Sequence, residues 1–204
     1  MFANTGYRVT PYFIERIVDR DGAAVQQTQP ARAGEDAERV IDARNAFIMT
    51  SIMQDVIGRG TAARAMQLGR HDLAGKTGTT NDFTDAWFDG FNEQLVAVAW
   101  IGFDQPRSLG KGEVGARAAL PIWMNYIGTV LKGKPETPLS IPGGVVRVAI
   151  NSANGPTLDG GQEGQGGAPD YIYQENVPST HSPDQTINPD RGQKSVERVK
   201  SQLF

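Results

Sequence analysis

Three strand-like segments follow one another between residues 73 and 103, and no other feature constrains the fold of this sequence as strongly. They are Leu73 to Thr80, Asp85 to Phe91 and Leu95 to Phe103. Asn92 to Gln94 has the length of a tight hairpin loop, so the second and third segments are predicted to pair antiparallel. The third segment is almost continuously apolar from Leu95 to Ile101, which predicts a strand covered on both faces.

Helices are predicted before and after these strands. Asp42 is a favourable N-cap for a helix that runs to about Ile57, and Pro121 opens a second helix that Gly133 and Pro135 end. The positions predicted to be buried are Met49, Ile52, Met53 and Val56 in the first helix, and Trp123, Tyr126, Ile127 and Val130 in the second. The fold class is therefore predicted to be α+β, with an antiparallel β-sheet backed by helices.

The segment before the first helix predicts a β-hairpin. Val9 to Val25 is rich in strand-forming residues, and Asp19 to Gly22 supplies a turn that contains glycine. The polar stretch from Gln26 to Arg39 that follows is predicted to be a loop.

The composition of the chain changes near residue 135. Residues 1–135 are predicted to form one domain, and residues 136–204 a Gly/Pro-rich C-terminal extension. Within the extension, Val145 to Ile150 predicts one further strand. Gly155 to Gly167 and Pro178 to Lys200 have little apolar content, so the extension is predicted to be partly disordered.

Composition also excludes several classes of protein and site. The chain has no cysteine, which excludes disulfides and thiolate metal sites, and its net charge of −3 favours neither nucleic acid nor an anionic membrane surface as a partner. His71 and His181 stand alone, so neither a metal nor a cofactor is expected. No apolar run is long enough to span a bilayer, and the stretch from Met1 does not resemble a signal peptide. Either the protein is cytosolic, or its targeting segment lies upstream of this sequence. The start from Met1 to Asn4 has no helix cap and no lead-in, which favours the second alternative.

Gly75-Lys76-Thr77-Gly78-Thr79-Thr80 is the one segment whose residue choice packing is not expected to explain. Two glycines weaken a strand unless another backbone must approach it closely. A lysine beside threonines supplies a positive charge and hydroxyl donors, which are the groups that bind a carboxylate. The motif therefore predicts a strand at a sheet edge that pairs with an extended peptide and holds its C-terminal carboxylate.

Two other interpretations of this motif compete. A P-loop also contains Gly-Lys-Thr, but Gly69 lies one residue too far before Gly75, and the motif follows a helix instead of leading from a strand into one. The second alternative is an ordinary strand with a surface lysine and threonines, since a match of three letters is a weak signal by itself.

The context of the motif carries a family resemblance. The stretches LAGKTGTTNDFTDAWFDGF, LVAVAWIGFD and AALPIWMNYI closely resemble the bifunctional, high-molecular-mass class A penicillin-binding proteins, which share Lys-Thr-Gly with β-lactamases. The resemblance extends upstream through FANTGYRVTPYFIERIVDRDG and MTSIMQDVIGRGTA. It implies that the chain is the C-terminal half of a β-lactamase/transpeptidase-like fold. The extension favours the synthase over a simple β-lactamase, which ends soon after the last helix.

The family pattern implies roles for the residues of the motif. Lys76 and Thr79 would be catalytic, with Lys76 setting the electrostatic field around the catalytic serine. Thr77, Gly78 and Thr79 would bind the substrate or the β-lactam carboxylate. The backbone N–H of Thr79 would supply half of the oxyanion hole.

The nucleophile is the part of the family pattern that is missing before the motif. The family's Ser-x-x-Lys and Ser-x-Asn motifs precede Lys-Thr-Gly, and neither occurs before residue 76. Thr129 to Lys132 imitates the first motif on the last predicted helix, and Ser152 to Asn154 spells the second in a predicted turn. Neither is assigned a catalytic role, so the chain alone is expected to be inactive.

The resemblance implies a parent protein that cross-links peptidoglycan by serine acyl transfer at the periplasmic face of the inner membrane. Its implied partners are peptidoglycan stem peptides, β-lactams and the upstream half of the same transpeptidase domain, with membrane contact only through a missing N-terminal segment. Two alternatives remain open: a non-catalytic module that binds peptides or carboxylates, and a β-lactamase-like serine hydrolase. The presence of Ser-x-x-Lys upstream would separate these possibilities.

Overall fold

The computed structural model describes residues 1–151, 155–158 and 169–177, which form helices and small antiparallel sheets. The strands are β1 (Tyr7–Arg8), β2 (Arg16–Val18), β3 (Ala24–Gln27), β4 (Glu38–Arg39), β5 (Ala74–Thr79), β6 (Asp85–Phe91), β7 (Val96–Gly102), β8 (Val145–Asn151), β9 (Gly155–Leu158) and β10 (Pro169–Tyr173). The α-helices are α1 (Ala43–Gly58), α2 (Gly115–Ala118) and α3 (Leu120–Val130), and a 3-10 helix spans Ala63–Leu68. The predicted α+β class with an antiparallel sheet backed by helices is confirmed.

The central sheet has the strand order β5-β6-β7, and its strands correspond to the three predicted segments. Each strand pairs antiparallel with the next without a register shift, so that Lys76, Asp89 and Val98 lie side by side. Because side chains alternate across a strand, this row shares one face of the sheet. Phe88 and Ala99 lie on the opposite face and are buried.

Strand β7 is covered on one face only, so the prediction that both of its faces are covered is wrong. Val96, Val98 and Trp100 are 62%, 57% and 45% exposed, whereas Ala99 between them is buried. The helices pack against the face that carries Phe88 and Ala99. On the opposite face, which we call the open face, Ala74 is buried near Thr50 and Gln54 of the first helix, but no described element covers Val96, Val98 and Trp100. A continuous apolar run therefore does not establish how many faces of a strand are covered.

Phe88 and Trp123 form the centre of the core beneath this sheet. Both side chains are fully buried, and the two rings meet edge-on with their centroids 4.8 Å apart. The indole N–H of Trp123 donates to the carbonyl oxygen of Ala97 at 3.1 Å, so the polar atom of this buried ring is paired. Gly90 leaves the space that the ring needs, because a Cβ there would lie 2.4 Å from Cζ2 of Trp123.

Helix α1 begins where the sequence predicts but buries a different face. The Asp42 carboxylate accepts the N–H of Arg44 at 2.9 Å, which confirms the N-cap, and this hydrogen bond is the main cause that lowers the pKa of Asp42. Met49 and Ile52 are predicted to be buried, yet they are 41% and 50% exposed. The buried residues of the helix are Ala46, Phe47, Thr50 and Ile57.

The C-terminal sheet explains which face of α1 is buried. This sheet has the order β10-β8-β9, and β8 confirms the strand predicted from Val145 to Ile150. The ring of Phe47 meets the ring of Tyr171 edge-on at 4.8 Å, and Arg44 forms an ion pair with Glu175 at 2.8 Å. Because these partners lie far from α1 in the sequence, the periodicity of the helix cannot predict which of its faces they cover.

Helix α3 follows its prediction more closely. Pro121 lies in the first turn, and Trp123 and Ile127 are buried as predicted. Tyr126 is 50% exposed, so its predicted burial is wrong, and Val130 is half-buried. The tyrosine lies beside the open side of β7, where within the described residues no further element packs.

The remaining predictions concern the two ends of the chain. Strands β2 and β3 form the predicted N-terminal hairpin, and all of their residues are exposed. The prediction that Gln26 to Arg39 is a loop is wrong at both ends of that stretch, because β3 continues to Gln27 and β4 pairs with β1. Strand β9 forms the first part of the segment Gly155 to Gly167, for which partial disorder is predicted. The rest of that segment lies outside the described residues, and so does Pro178 to Lys200. The division into residues 1–135 and 136–204 stays a prediction.

A buried ion pair joins the start of β5 to the chain that follows α3. Arg70 donates to both carboxylate oxygens of Asp72, at 2.9 and 2.6 Å, and the two side chains are 10% and 0% exposed. Arg70 also donates to the carbonyl of Lys134 at 2.8 Å, and Asn92 and the N–H of Thr137 donate to Asp72 at 3.1 and 3.3 Å. Burial raises the pKa of Asp72, but its hydrogen-bond donors outweigh that effect and hold the pKa below its usual value of 3.8.

Asp72→Asn is expected to destabilise the chain by about 3 kcal/mol, because it removes the charge that compensates the buried guanidinium of Arg70. The free energy of unfolding is measured by urea denaturation. Glu38→Gln is the control, since Glu38 pairs with Arg8 at 2.8 Å on the surface and its loss is expected to cost less than about 1 kcal/mol. Because folding depresses the pKa of Asp72, its contribution is present above pH 3.8 and is lost as the pH falls through the lower folded-state value. Equal losses for the two variants would contradict this explanation.

Helix α2 lies directly against the backbone of β5 and β6 at Gly115. A Cβ on Gly115 would lie 2.3 Å from the carbonyl oxygen of Trp87 and 2.5 Å from that of Gly78. The glycine is therefore required for a close approach of backbones. This approach brings the N–H of Gly115 to the end of β5.

Gly115→Ala is expected to lower the free energy of unfolding by about 2 kcal/mol, because backbone atoms on two strands must move to admit a methyl group. Gly58→Ala is the matched control, since a Cβ at that helical position meets nothing within 4 Å. Its stability is expected to stay within about 1 kcal/mol of the original. Both are measured by urea denaturation, and an unaffected Gly115→Ala would show that the contact is loose.

Candidate active site

Strand β5 carries the whole motif and lies at an edge of the central sheet. One side of the strand pairs with β6, from Ala74 opposite Phe91 to Thr79 opposite Ala86. Among residues 1–151, 155–158 and 169–177, no strand pairs with the other side. The predicted edge strand is therefore confirmed, and a row of unpaired backbone groups runs along the motif.

The hydrogen-bond pattern identifies the N–H groups that face this free edge. The N–H of Thr80 donates to the carbonyl of Asp85 at 3.1 Å and so points toward β6. Successive N–H groups of a strand point to opposite sides. The N–H groups of Thr77 and Thr79 therefore point away from β6, toward the free edge.

The charged and hydroxyl side chains of the motif emerge on different faces of the sheet. By the alternation of the strand, Lys76 lies on the open face, and Thr77 and Thr79 lie on the face toward the helices. Lys76 is exposed, and its Nζ donates to the carbonyl of Thr77 at 2.8 Å and lies 3.5 Å from Thr77 Oγ1. A cation and two hydroxyl groups thus flank the same short stretch of free edge.

Each threonine hydroxyl is in contact with a residue that sequence reasoning missed. Thr77 Oγ1 lies 3.0 Å from Oγ1 of Thr61, which follows the end of α1. Thr79 Oγ1 accepts the N–H of Gly115 at 3.1 Å. No sequence signal pointed to these contacts, because the partners are 16 and 36 residues apart in the chain.

The glycines of the motif have packing reasons that the sequence does not reveal. A Cβ on Gly75 would lie 2.7 Å from Cζ of Phe88 and 2.8 Å from the carbonyl oxygen of Asp89. The expectation that packing does not explain this segment is therefore wrong for Gly75, which makes room for the core. A Cβ on Gly78 would lie 3.1 Å from Cβ of Trp87, a tight contact on the open face. The substrate-binding role of Gly78 stays a prediction.

A hydrogen-bond network around Asp85 holds the loop that follows β5. The N–H of Asp85 donates to Thr80 Oγ1 at 2.8 Å. Its carboxylate accepts the indole N–H of Trp100 at 2.9 Å and the hydroxyl of Thr84 at 3.1 Å. The hydrogen bonds that the carboxylate accepts lower the pKa of Asp85, and the one from Trp100 is the largest cause. Asp85 is therefore an ionised structural group that fixes the end of the motif strand.

A Ser-x-x-Lys spacing that sequence reasoning missed occurs after the motif, in Ser108-Leu109-Gly110-Lys111. The structure places it in the irregular segment between β7 and α2, where Ser108 Oγ accepts the N–H of Gly110 at 3.2 Å. The other imitation, Thr129 to Lys132, lies at the end of α3, where the Thr129 hydroxyl donates to a backbone carbonyl at 2.8 Å. No hydrogen bond joins either segment to Lys76 within the described residues, and Ser152 to Asn154 lie outside them.

Other kinds of site find little support in the described residues. Strand β5 leads into a short 3-10 turn and then into β6, so the P-loop alternative, which needs a strand followed by a helix, is excluded. No group of three or more potential metal ligands comes together in the part of the chain that the structure describes. None of the helices described there is both long and apolar enough to cross a membrane.

Known proteins are similar to this chain in sequence. Residues 1–118 match the family model of the penicillin binding protein transpeptidase domain. Penicillin-binding protein 1A of Neisseria flavescens is 53% identical over 146 residues, which cover 72% of this chain and 18% of that relative. Penicillin-binding protein 1A of Pseudomonas aeruginosa is 42% identical in an alignment that covers 80% of this chain and 25% of that relative.

A solved structure shares the fold. The 2.6 Å crystal structure of penicillin-binding protein 1A from Haemophilus influenzae matches this chain with a TM-score of 0.75 and 33% identity, over 89% of this chain and 31% of that one. The chain thus spans a quarter or less of the length of the two curated relatives, and the predicted resemblance to class A penicillin-binding proteins is confirmed. Because the family model matches more than half of its residues, the chain belongs to the penicillin binding protein transpeptidase domain family.

Proposed function

We propose that this chain is part of a serine-type peptidoglycan D,D-transpeptidase and supplies its substrate-binding strand. The observation that carries the proposal is the position of Lys76 to Thr79 on the free edge of β5. An extended stem peptide would add to this edge by backbone pairing, and its C-terminal carboxylate would meet the hydroxyls of Thr77 and Thr79. β-Lactams carry a carboxylate of the same kind and would bind in the same place.

In the proposed reaction, a serine that this chain does not contain attacks the carbonyl carbon of the penultimate D-Ala in a donor stem peptide. The serine oxygen bonds to that carbon, the C–N bond breaks, and the terminal D-Ala leaves with the serine's proton on its nitrogen. An acceptor amine then forms an amide bond with the same carbon, the ester bond to serine breaks, and a proton of the amine returns to the serine oxygen. The N–H of Thr79 would be one of the two donors that stabilise the oxyanion. Lys76 would supply a positive charge that stabilises the developing negative charge.

The upstream half of the same transpeptidase domain is the proposed partner of the open sheet face. Trp87, Val96, Val98 and Trp100 form an apolar surface there, in which the two indole rings lie 5.8 Å apart. Contiguous exposed apolar surface marks an interaction site. Lys76 lies on this same face, so a partner that covers it would bring its own side chains to the lysine. This arrangement suits a nucleophile that the partner supplies.

We propose the setting of the parent protein by analogy with the same family. We place its transpeptidase region at the periplasmic face of the inner membrane, with an upstream segment as the anchor. Residues 136–204 would be a C-terminal extension of the transpeptidase domain. This chain alone would be inactive, because the acyl-enzyme needs a serine that the motif strand does not provide.

Lys76→Ala in the full-length parent protein is expected to lower the second-order rate constant of acylation by penicillin about a hundredfold. One preorganised charge in a water-poor site is worth about 3 kcal/mol of transition-state stabilisation. Lys132→Ala is the control, because Lys132 is exposed beyond the end of α3. Thermal melting of both variants tests whether they fold. Equal rates for Lys76→Ala and Lys132→Ala would overturn the assignment of the Lys-Thr-Gly strand.

The chain of 204 residues is expected not to be acylated by a fluorescent penicillin. Labelling is assayed by denaturing electrophoresis after incubation, with the full-length parent protein as the positive control. A stable adduct that maps to a serine of this chain would contradict the proposal that the nucleophile lies elsewhere. Ser108 is the residue to examine first, because it alone of the described serines has a lysine three positions later.

A further inference from the structure

We propose that Thr61 is a positioning residue for carboxylate binding, and that its hydroxyl turns the hydrogen of the Thr77 hydroxyl toward the ligand. This inference rests on the proposed function, because it takes Thr77 as a residue that binds the carboxylate. Thr61 acts through Thr77 and does not itself touch the ligand.

The backbone around Thr61 is held in place by its neighbours. Thr61 lies between Gly60 and Ala62, in the connection from α1 to the 3-10 helix. A Cβ on Gly60 would lie 2.7 Å from Cα of Val56, so this glycine permits a close return of the chain onto the helix. The N–H of Ala62 donates to the carbonyl of Val56 at 3.0 Å, and Ala62 is fully buried. The Thr61 side chain therefore starts from a fixed backbone and is not a freely placed surface group.

The direction of one hydrogen bond decides what Thr77 offers to a ligand. A hydroxyl has one hydrogen and two lone pairs, and the 3.0 Å contact between Thr61 and Thr77 allows either group to donate. If Thr77 donates to Thr61, only its lone pairs face the ligand, and they repel a carboxylate. If Thr61 donates to Thr77, the hydrogen of Thr77 is free to bind the carboxylate.

A bound carboxylate favours donation by Thr61, because hydrogen bonds to charged acceptors are stronger and chained hydrogen bonds polarise one another. The ammonium group of Lys76 is compatible with this orientation. It can only donate and lies 3.5 Å from Thr77 Oγ1, so one lone pair of Thr77 faces Lys76 and the other accepts from Thr61.

The hydroxyl of Thr79 also has a hydrogen-bond partner, and the direction of that hydrogen bond is fixed. Its hydroxyl accepts the N–H of Gly115 at 3.1 Å, and an amide N–H cannot accept. Among the described residues, the hydrogen of the Thr79 hydroxyl has no acceptor. Both hydroxyls on this face of β5 thus accept a hydrogen bond from the protein, which leaves their own hydrogens free to bind an anionic ligand.

The test uses the full-length parent protein with Thr61→Val, which removes the hydroxyl at nearly constant shape, and Thr61→Ser, which keeps it. The second-order rate constant of acylation is measured with benzylpenicillin and with its methyl ester, which lacks the negative charge. Thr61→Val is expected to lower the rate with benzylpenicillin about tenfold, and to leave the rate with the ester within about twofold. Thr61→Ser is expected to retain the original rates. Thr61→Ala repeats the measurement if the valine variant does not fold.

Thr129→Val is the matched control, because it removes an exposed hydroxyl that donates to a helix carbonyl, and its rates are expected to be unchanged. An unchanged rate for Thr61→Val with benzylpenicillin, or an equal loss with both ligands, would overturn the positioning role. Thr77→Val separates the two proposals. If Thr77→Val loses rate only with benzylpenicillin while Thr61→Val loses none, the positioning role fails and the proposed function stands. If Thr77→Val loses none either, the carboxylate site itself is wrongly assigned.

Discussion

The pairing of β5 with β6 is the interaction on which the rest of this structure depends. In the observed register Phe88 lies opposite Thr77 and enters the core, while Asp89 lies opposite Lys76 on the open face. A shift of one residue would turn every side chain of the strand to the other face, so that Phe88 would lose its buried site against Trp123. The hydrophobic burial that stabilises the sheet therefore also selects which groups of the motif flank the free edge.

Local patterns predict the three strands of the central sheet and helices α1 and α3, but not the short elements β1, β4, β9, β10 and α2. The hairpin loop at Asn92 to Gln94, the cap at Asp42 and the proline at 121 each act within a few residues, and each lies where the sequence predicts. The side on which an element is buried was predicted less well. Met49 and Val98 are apolar and exposed, because burial depends on which distant element packs against a face, and no pattern of period two or 3.6 contains that information.

The candidate site also has a part that the sequence predicts and a part that it does not. The residue types of the motif, and the free edge that it needs, were predicted from the sequence, because lysine, threonine and glycine have distinct chemistry. Thr61 and Gly115 were not, since their contribution arises only when separate segments meet at β5. Spacing alone can also mislead: Ser108 and Lys111 have the separation of a known catalytic pair, yet the intervening backbone forms an irregular turn. The geometry of the backbone decides what a spacing means.

Strand β5 is anchored at both of its ends by polar groups rather than by the apolar core alone. The Arg70–Asp72 pair holds the residues before it, and the hydrogen bonds of Asp85 hold the loop after it. The conformational entropy of this edge is therefore lost when the chain folds, and a ligand that pairs with the edge does not have to order it again. For a strand with the same side chains but loose ends, part of the interaction free energy would be consumed in ordering the backbone, and the affinity would be lower.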